Sequence, residues 1–309
     1  GGSTLECALD GGAFGACTSP KAYTGLANGP HTFEARATDV VGNTDQTPAS
    51  HAWTIDMDAP DTTITIAPDD PSNSAEASFS FESTETGSTF ECRMDGGAFG
   101  ACASPKTYTG LADGEHTFDV RAIDPAANPD PSPSSHTWTV DTAAPDTTVT
   151  SAPANPSGSA DASFGFDSTE GGSTFECRLD GGAFAACTNA KEYTGLADGV
   201  HSFEVRATDP AGNVDPSPAS HEWTIDTTGP DTTITAAPAN PTKSSAASFS
   251  FESTESGSTF KCRLDGDTFA ACTSPKEYTG LADGSHTFEV LAIDGLGNAD
   301  PTPAGYTWA

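Results

Sequence analysis

Residues 88–102, STFECRMDGGAFGAC, decide how the chain folds. Phe90, Cys92 and Met94 alternate with Glu91 and Arg93, the period of two that sends successive side chains to opposite faces of a β-strand. Asp95-Gly96-Gly97 is a hairpin turn signal, and residues 98–102 return beside the first strand. The two cysteines flank this hairpin. With small changes the same stretch recurs at 3–17 (STLECALDGGAFGAC), 173–187 (STFECRLDGGAFAAC) and 258–272 (STFKCRLDGDTFAAC).

The recurrence has a fixed period of 85 residues. Cysteines fall at Cys7, Cys92, Cys177 and Cys262, each followed ten residues later by Cys17, Cys102, Cys187 or Cys272. The tryptophans are Trp53, Trp138, Trp223 and Trp308, and the pattern Asp-x-x-x-Asn-x-Asp begins at Asp39, Asp124, Asp209 and Asp294. Such a period is the length of a small autonomous domain, not of one solenoid hairpin. The expected modules are 57–141, 142–226 and 227–309, with a partial one at 1–56. Identical beads argue against an enzyme with one active site.

Within 57–141, residues 61–66 (DTTITI) are rich in β-branched side chains, and 77–83 (ASFSFES) place Phe79 and Phe81 on one face. Residues 116–123 (HTFDVRAI) alternate Phe118, Val120 and Ala122 with Thr117, Asp119 and Arg121. Residues 135–141 (SHTWTVD) put Trp138 and Val140 on one face. Six or seven short alternating strands without helical periodicity predict an all-β fold, a tandem array of antiparallel β-sandwiches.

The 309-residue chain has 44 acidic and 12 basic side chains, a formal charge of −32. That balance repels nucleic acid and anionic membrane surfaces and suits high salt and divalent cations. No stretch is long and apolar enough to span a membrane, and the N-terminus has no signal-peptide pattern. A zinc ribbon needs closely spaced cysteine pairs and four ligands per site. Each module has only two cysteines, ten residues apart, and no such close pair. The even C-x9-C pairs instead predict the disulfides Cys7–Cys17, Cys92–Cys102, Cys177–Cys187 and Cys262–Cys272, and an oxidising compartment. Closing a loop of this length stabilises a module by roughly 2–3 kcal/mol.

The run LADGEHTFDVRAID (111–124), the loop DPAGNVD (209–215) and the linker DTTGPDTT (226–233) resemble the tandem immunoglobulin-like or fibronectin type III-like repeats of bacterial surface proteins. The resemblance covers the whole chain and implies Ig-like sandwiches. It also implies an extracellular or cell-surface location and a role in the stalk of an adhesin or similar protein. Some such repeats bind calcium at module junctions through an Asp-x-x-Gly-Asn loop. Here one copy departs, with Ala127 before Asn128.

Calcium takes six to eight hard oxygen ligands. Sandwich topology is expected to bring the loop beside the preceding linker and the turn after the second strand. The first candidate set is Asp56, Asp61, Glu85, Asp124, Asn128 and Asp130. The second is Asp141, Asp146, Glu170, Asp209, Asn213 and Asp215, and the third is Asp226, Asp231, Glu255, Asp294, Asn298 and Asp300. The competing reading is turn chemistry, since Asp and Asn bond their own backbone and tolerate unusual dihedrals. The repeated His31, His116, His201 and His286 open a strand after a turn, where a structural hydrogen bond is expected.

Two functions compete. One is a structural spacer whose partners are the neighbouring modules of the same long chain, or other copies in a filament. The other is an array of adhesive modules that binds a glycan or host-surface ligand, which would show as one divergent module with exposed aromatics. The first repeat poses a separate question, because residue 1 aligns with Thr86. The counterparts of Phe79 and Phe81 are then absent, and Phe14, Phe33 and Trp53 are expected to face an open side. Completion is expected from upstream polypeptide of a longer chain. The alternative is strand donation by a neighbouring chain.

Overall fold

Alternating Phe, Val and Trp give each strand one apolar face, and two sheets bury those faces against each other. The structure, a computed structural model, describes residues 2–309. The chain divides into two compact units, residues 1–142 and Ala143–Ala309.

The first unit opens with β1 (Thr4–Leu9), β2 (Gly15–Cys17), β3 (Gly29–Thr38) and β4 (Ala49–Ile55). They form one sheet in the order β2-β1-β3-β4. Then come β5 (Thr62–Ile66), β6 (Glu76–Ser83), β7 (Thr89–Met94), β8 (Gly100–Cys102), β9 (Lys106–Thr109), β10 (Gly114–Ile123) and β11 (Ser134–Val140). These make a three-stranded sheet β5-β6-β9 and a four-stranded sheet β11-β10-β7-β8, with every pairing antiparallel.

The core lies between the two sheets. Phe79 and Phe81 of β6 meet Phe118 and Val120 of β10 and Trp138 and Val140 of β11. Phe79 stacks on Phe118 with ring centroids 4.1 Å apart and meets Trp138 at 5.2 Å. Burying one such ring contributes about 1.5–3 kcal/mol. Asp95 and Gly96 turn the β7–β8 hairpin at φ 51° and 69°. Two left-handed residues in succession match the right-handed twist of the strands, and Asp-Gly supplies them.

The second unit repeats this plan twice. Its first copy comprises β12 (Thr147–Ser151), β13 (Ala162–Ser168), β14 (Thr174–Leu179), β15 (Ala185–Cys187), β16 (Lys191–Tyr193), β17 (Gly199–Thr208) and β18 (Ala219–Ile225). Its second comprises β19 (Thr232–Ala236), β20 (Ala247–Ser253), β21 (Thr259–Leu264), β22 (Ala270–Cys272), β23 (Lys276–Tyr278), β24 (His286–Ile293) and β25 (Ala304–Trp308). Each copy has its own core, around Phe164, Phe203 and Trp223, and around Phe249, Phe288 and Trp308.

All four expected disulfides are present, each joining adjacent strands of one sheet with Cα atoms 5.8 Å apart. The outer face of the same sheet carries ion pairs. Arg93 meets Asp119 at 2.8 Å and Arg121 meets Glu91 at 2.7 Å. Both guanidinium groups lie on the ring of Phe99, at 4.5 and 4.3 Å, the geometry of a cation–π contact. This corrects the expectation for Phe14. It is the counterpart of Phe99 and lies on the outer face under Arg36, 4.1 Å from its guanidinium, not on the open side. Phe33 and Trp53 do line the inner face of the first sheet, where they are only half-buried, whereas Phe118 and Trp138 are fully enclosed.

Candidate metal centres at the repeat junctions

The loop after β10 is built by its first residue. Asp124 Oδ1 accepts the Asn128 N–H at 2.8 Å, and Oδ2 accepts the Asn128 side-chain amide at 2.7 Å. Asp39 holds Asn43 in the same way, both bonds at 2.9 Å, although no acidic triad forms around it among the described residues. The loop therefore folds on its own turn chemistry. The residue before the asparagine needs positive φ: Gly42, Gly212 and Gly297 sit at 94–96°. Ala127 sits at 73°, which costs an L-residue with a side chain about 1–2 kcal/mol.

The asparagine also fastens the linker. Asn128 Nδ2 donates to the Asp56 carbonyl at 3.0 Å, and Asn298 Nδ2 donates to the Asp226 carbonyl at 2.8 Å. From the other side, the Met57 N–H donates to Asn28 Oδ1 at 2.7 Å. In the second unit Thr227 and Thr228 donate their hydroxyls to Asp198 at 2.7 and 2.6 Å. Gly229 runs so close to the next loop that a Cβ would lie 2.2 Å from the Ala299 carbonyl oxygen. These bonds set the linker carboxylates beside the loop.

Of the first candidate set, Asp56, Glu85 and Asp124 converge, with one carboxylate oxygen from each within 4.8 Å of the others. Asp226, Glu255 and Asp294 do the same in the second unit. Burial pushes the Glu85 carboxyl above its usual range, helped by the charges of Asp56, Asp124 and Asp58. Glu255 is pushed up by burial and by Asp226 and Asp294. Asp124 goes the other way, because bonds from Asn128 outweigh its burial and hold it low.

The remaining candidates do other work. Asp130 is 1 % exposed. Its Oδ2 accepts the Thr62 N–H at 2.9 Å, and its Oδ1 accepts the Ser132 N–H at 2.7 Å. Thr62 Oγ1 in turn accepts the Ala122 N–H at 2.8 Å, so Asp130 and Thr62 tie the first strand across to β10. Asp215 with Thr147 and Asp300 with Thr232 repeat the arrangement. The Asp61 and Asp231 carbonyls accept the Thr84 and Thr254 N–H groups, their own N–H groups donate to the hydroxyls of the same threonines, and both residues stand outside the triads. In the second set, Asp141 belongs to the first unit, and Asp146, Glu170, Asp209, Asn213 and Asp215 belong to the second.

Three carboxylates within 4.8 Å fit a hard cation, since two oxygens bound at 2.3–2.6 Å can be about that far apart. The donor set is all oxygen, which suits calcium and disfavours zinc. Asn128 presents its amide nitrogen to Asp124 and Asp56, which makes it a clamp on the loop.

The repeated histidines are fully engaged. His116 Nδ1 lies 2.9 Å from Asp95 Oδ2, and Nε2 lies 2.9 Å from the Ala112 carbonyl. Both neighbours are acceptors, so the geometry calls for a proton on each nitrogen. The Asp95 bond and then the Ala112 bond raise the His116 pKa. In His31, His201 and His286 the alanine carbonyl leads and the aspartate follows. A raised histidine pKa gives stability that is complete below the unfolded value of about 6.5 and is lost as pH rises through the folded value. The melting temperature is accordingly expected to fall between mildly acidic and mildly alkaline pH. His116→Gln should flatten that slope for the second repeat, and a slope unchanged by it would remove His116 as the cause.

No protein-family model matches the sequence, and no curated protein matches it. Among solved structures, a tetra-tandem repeat from the extending region of a large adhesion protein is 18% identical; the match covers 99% of this chain and 91% of that one at a TM-score of 0.33. A bacterial ice-binding adhesin is 14% identical, over 82% of this chain and 98% of that one, at a TM-score of 0.39. Fibronectin(III)-like modules of Clostridium thermocellum CbhA are 15% identical, over 53% of this chain and 94% of that one, at a TM-score of 0.35. What the chain is similar to is thus fibronectin-III-like modules and tandem repeats of large adhesins.

Proposed function

We propose that the chain is a spacer, a segment of an extracellular stalk on a bacterial surface that separates other parts of its protein, with calcium at the junction triads. The observation that carries the spacer reading is that each complete repeat closes its own core with the same residues, and that the linker within each unit is pinned from both sides. A spacer needs length and defined joints, and catalysis is no part of this reading. His31, His116, His201 and His286, which open a strand after a turn, have both nitrogens in structural bonds.

Calcium would be held by Asp56, Glu85 and Asp124, and by Asp226, Glu255 and Asp294, with main-chain or water oxygens completing the shell. Its contribution is to neutralise like charges that otherwise repel. Extracellular modules bind calcium at about 10⁻⁴–10⁻³ M, so a few millimolar should stabilise a junction by about 1–2 kcal/mol. Calorimetric titration and scattering with chelator and with calcium are the checks. Glu85→Gln is the informative variant, because its carboxylate carries none of the loop's hydrogen bonds. It should abolish binding at the first junction and spare the Glu255 site. No binding heat, together with an unchanged maximum dimension, would leave turn chemistry as the whole role of the loop.

A further inference from the structure

Strand β3 opens at Gly29, and the residue before it is Asn28. This is the one Asn-Gly step in the sequence. The later repeats have Asp113-Gly114, Asp198-Gly199 and Asp283-Gly284 at the same place. All four glycines take positive φ, from 125° at Gly29 to 141° at Gly284, where a residue without a Cβ is favoured. Asn28 is exposed, and the space beside Gly29 is open: a Cβ built there would meet nothing within 4 Å.

Asn28 is also half of a clamp on the linker. Its Oδ1 accepts the Met57 N–H at 2.7 Å, and its Nδ2 donates to Asp58 Oδ2 at 2.6 Å. In the second unit the counterpart residues, Asp198 and Thr228, carry the charge on the other side. Asp198 Oδ1 accepts the Thr227 N–H at 3.0 Å, and Oδ2 accepts the Thr228 hydroxyl at 2.6 Å. Each clamp thus pairs one carboxylate with one neutral donor, a charge-assisted hydrogen bond. A carboxylate at residue 28 would keep the backbone bond, as Asp113 does with Thr142 and Asp198 with Thr227. It would also strip Asp58 of its donor and set two like charges face to face.

We propose that Asn28 is a site of spontaneous deamidation, and that the reaction turns the first clamp from an attractive pair into a repulsive one. The Gly29 nitrogen attacks Asn28 Cγ. The N–Cγ bond forms, the Cγ–Nδ2 bond breaks, and Nδ2 leaves as ammonia with the proton that Gly29 gave up. Solvent water then opens the cyclic imide. Cleavage between Cγ and the Gly29 nitrogen yields aspartate, and cleavage at the Asn28 main-chain carbonyl yields isoaspartate. Nothing is oxidised or reduced. Glycine permits the attack, because no side chain shields its nitrogen. Both clamp bonds hold the amide while the joint is shut, so the reaction draws on moments of local opening.

The test keeps the whole chain at mildly alkaline pH, then maps it by digestion and mass spectrometry, with enzymatic methylation to count isoaspartate. Conversion is expected at Asn28 and not at Asn73, Asn189, Asn213 or Asn298, whose following residues carry side chains. It should run about tenfold slower than in a synthetic peptide of residues 21–35, because the clamp must open first. Amide exchange at Met57 should quicken about tenfold in the converted chain. Asn28→Asp installs what the other three repeats carry there, so the fold accepts it, and it should reproduce that gain. Adding Asp58→Thr restores the pairing of the second unit and should reverse it. An Asn28 that stays intact long after the peptide has converted overturns the inference, as does conversion spread evenly over the other asparagines. Met57 exchange that Asn28→Asp leaves unchanged, or that Asp58→Thr fails to restore, overturns the repulsive clamp.

Discussion

Phe118→Ala is expected to destabilise the second repeat by about 3–5 kcal/mol, enough to unfold much of a module this small. The ring is fully buried and contacts Phe79, Phe81 and Tyr108. Sheets on both sides hold those neighbours, so little collapse can refill the space. Phe33→Ala makes the same chemical change at the counterpart position, where one side is open. There the loss should be about 1 kcal/mol, since the ring gives up less buried area and leaves no sealed cavity. Denaturant melts read by amide exchange, repeat by repeat, measure both. Equal losses would mean that Phe33 is covered in solution.

Asp130→Ala should cost about 2–4 kcal/mol, the second-largest effect of a single change. The carboxylate is buried, and its loss leaves the N–H groups of Thr62 and Ser132 without acceptors. Asp45→Ala should cost well under half as much, because it strands only Thr47 in an exposed turn. Burial alone would raise the Asp130 carboxyl, but bonds from Thr62 and Ser132 overrule it and hold the pKa low. A depressed carboxylate pKa gives stability that is present above the unfolded value of about 3.9 and is lost as pH falls through the folded value. Acid unfolding below about pH 4 should therefore begin later in the wild type than in Asp130→Asn. Coincident acid transitions would remove Asp130 from the account.

Much of this could be read in the letters. Period-two alternation located β6, β7, β10 and β11 to within two residues, because each has one wet and one dry face. It did not find β9, whose four residues, Lys106–Thr109, become a strand only by pairing with β6. Phe14 was misplaced for a related reason: the register of a short return strand decides its face, and composition does not. Asp124 and Asp130 look alike in sequence, as two acids in one loop. They part only when the fold aims the Thr62 N–H at one and leaves the other beside Asp56 and Glu85. The His–Asp bond did leave a signal, since each repeated histidine follows the turn aspartate by 21 residues.

The disulfides have a mechanical consequence. Each closes only the hairpin between cysteines ten residues apart. A pull on the ends of a repeat would travel through β5 and β11 and pass this hairpin by. If the repeat gave way, the bridge would withhold about 35 Å of contour and release about 250 Å. A chain anchored at one end and loaded at the other would thus lengthen under a sudden tug without parting, and each hairpin would stay knotted as a folded remnant.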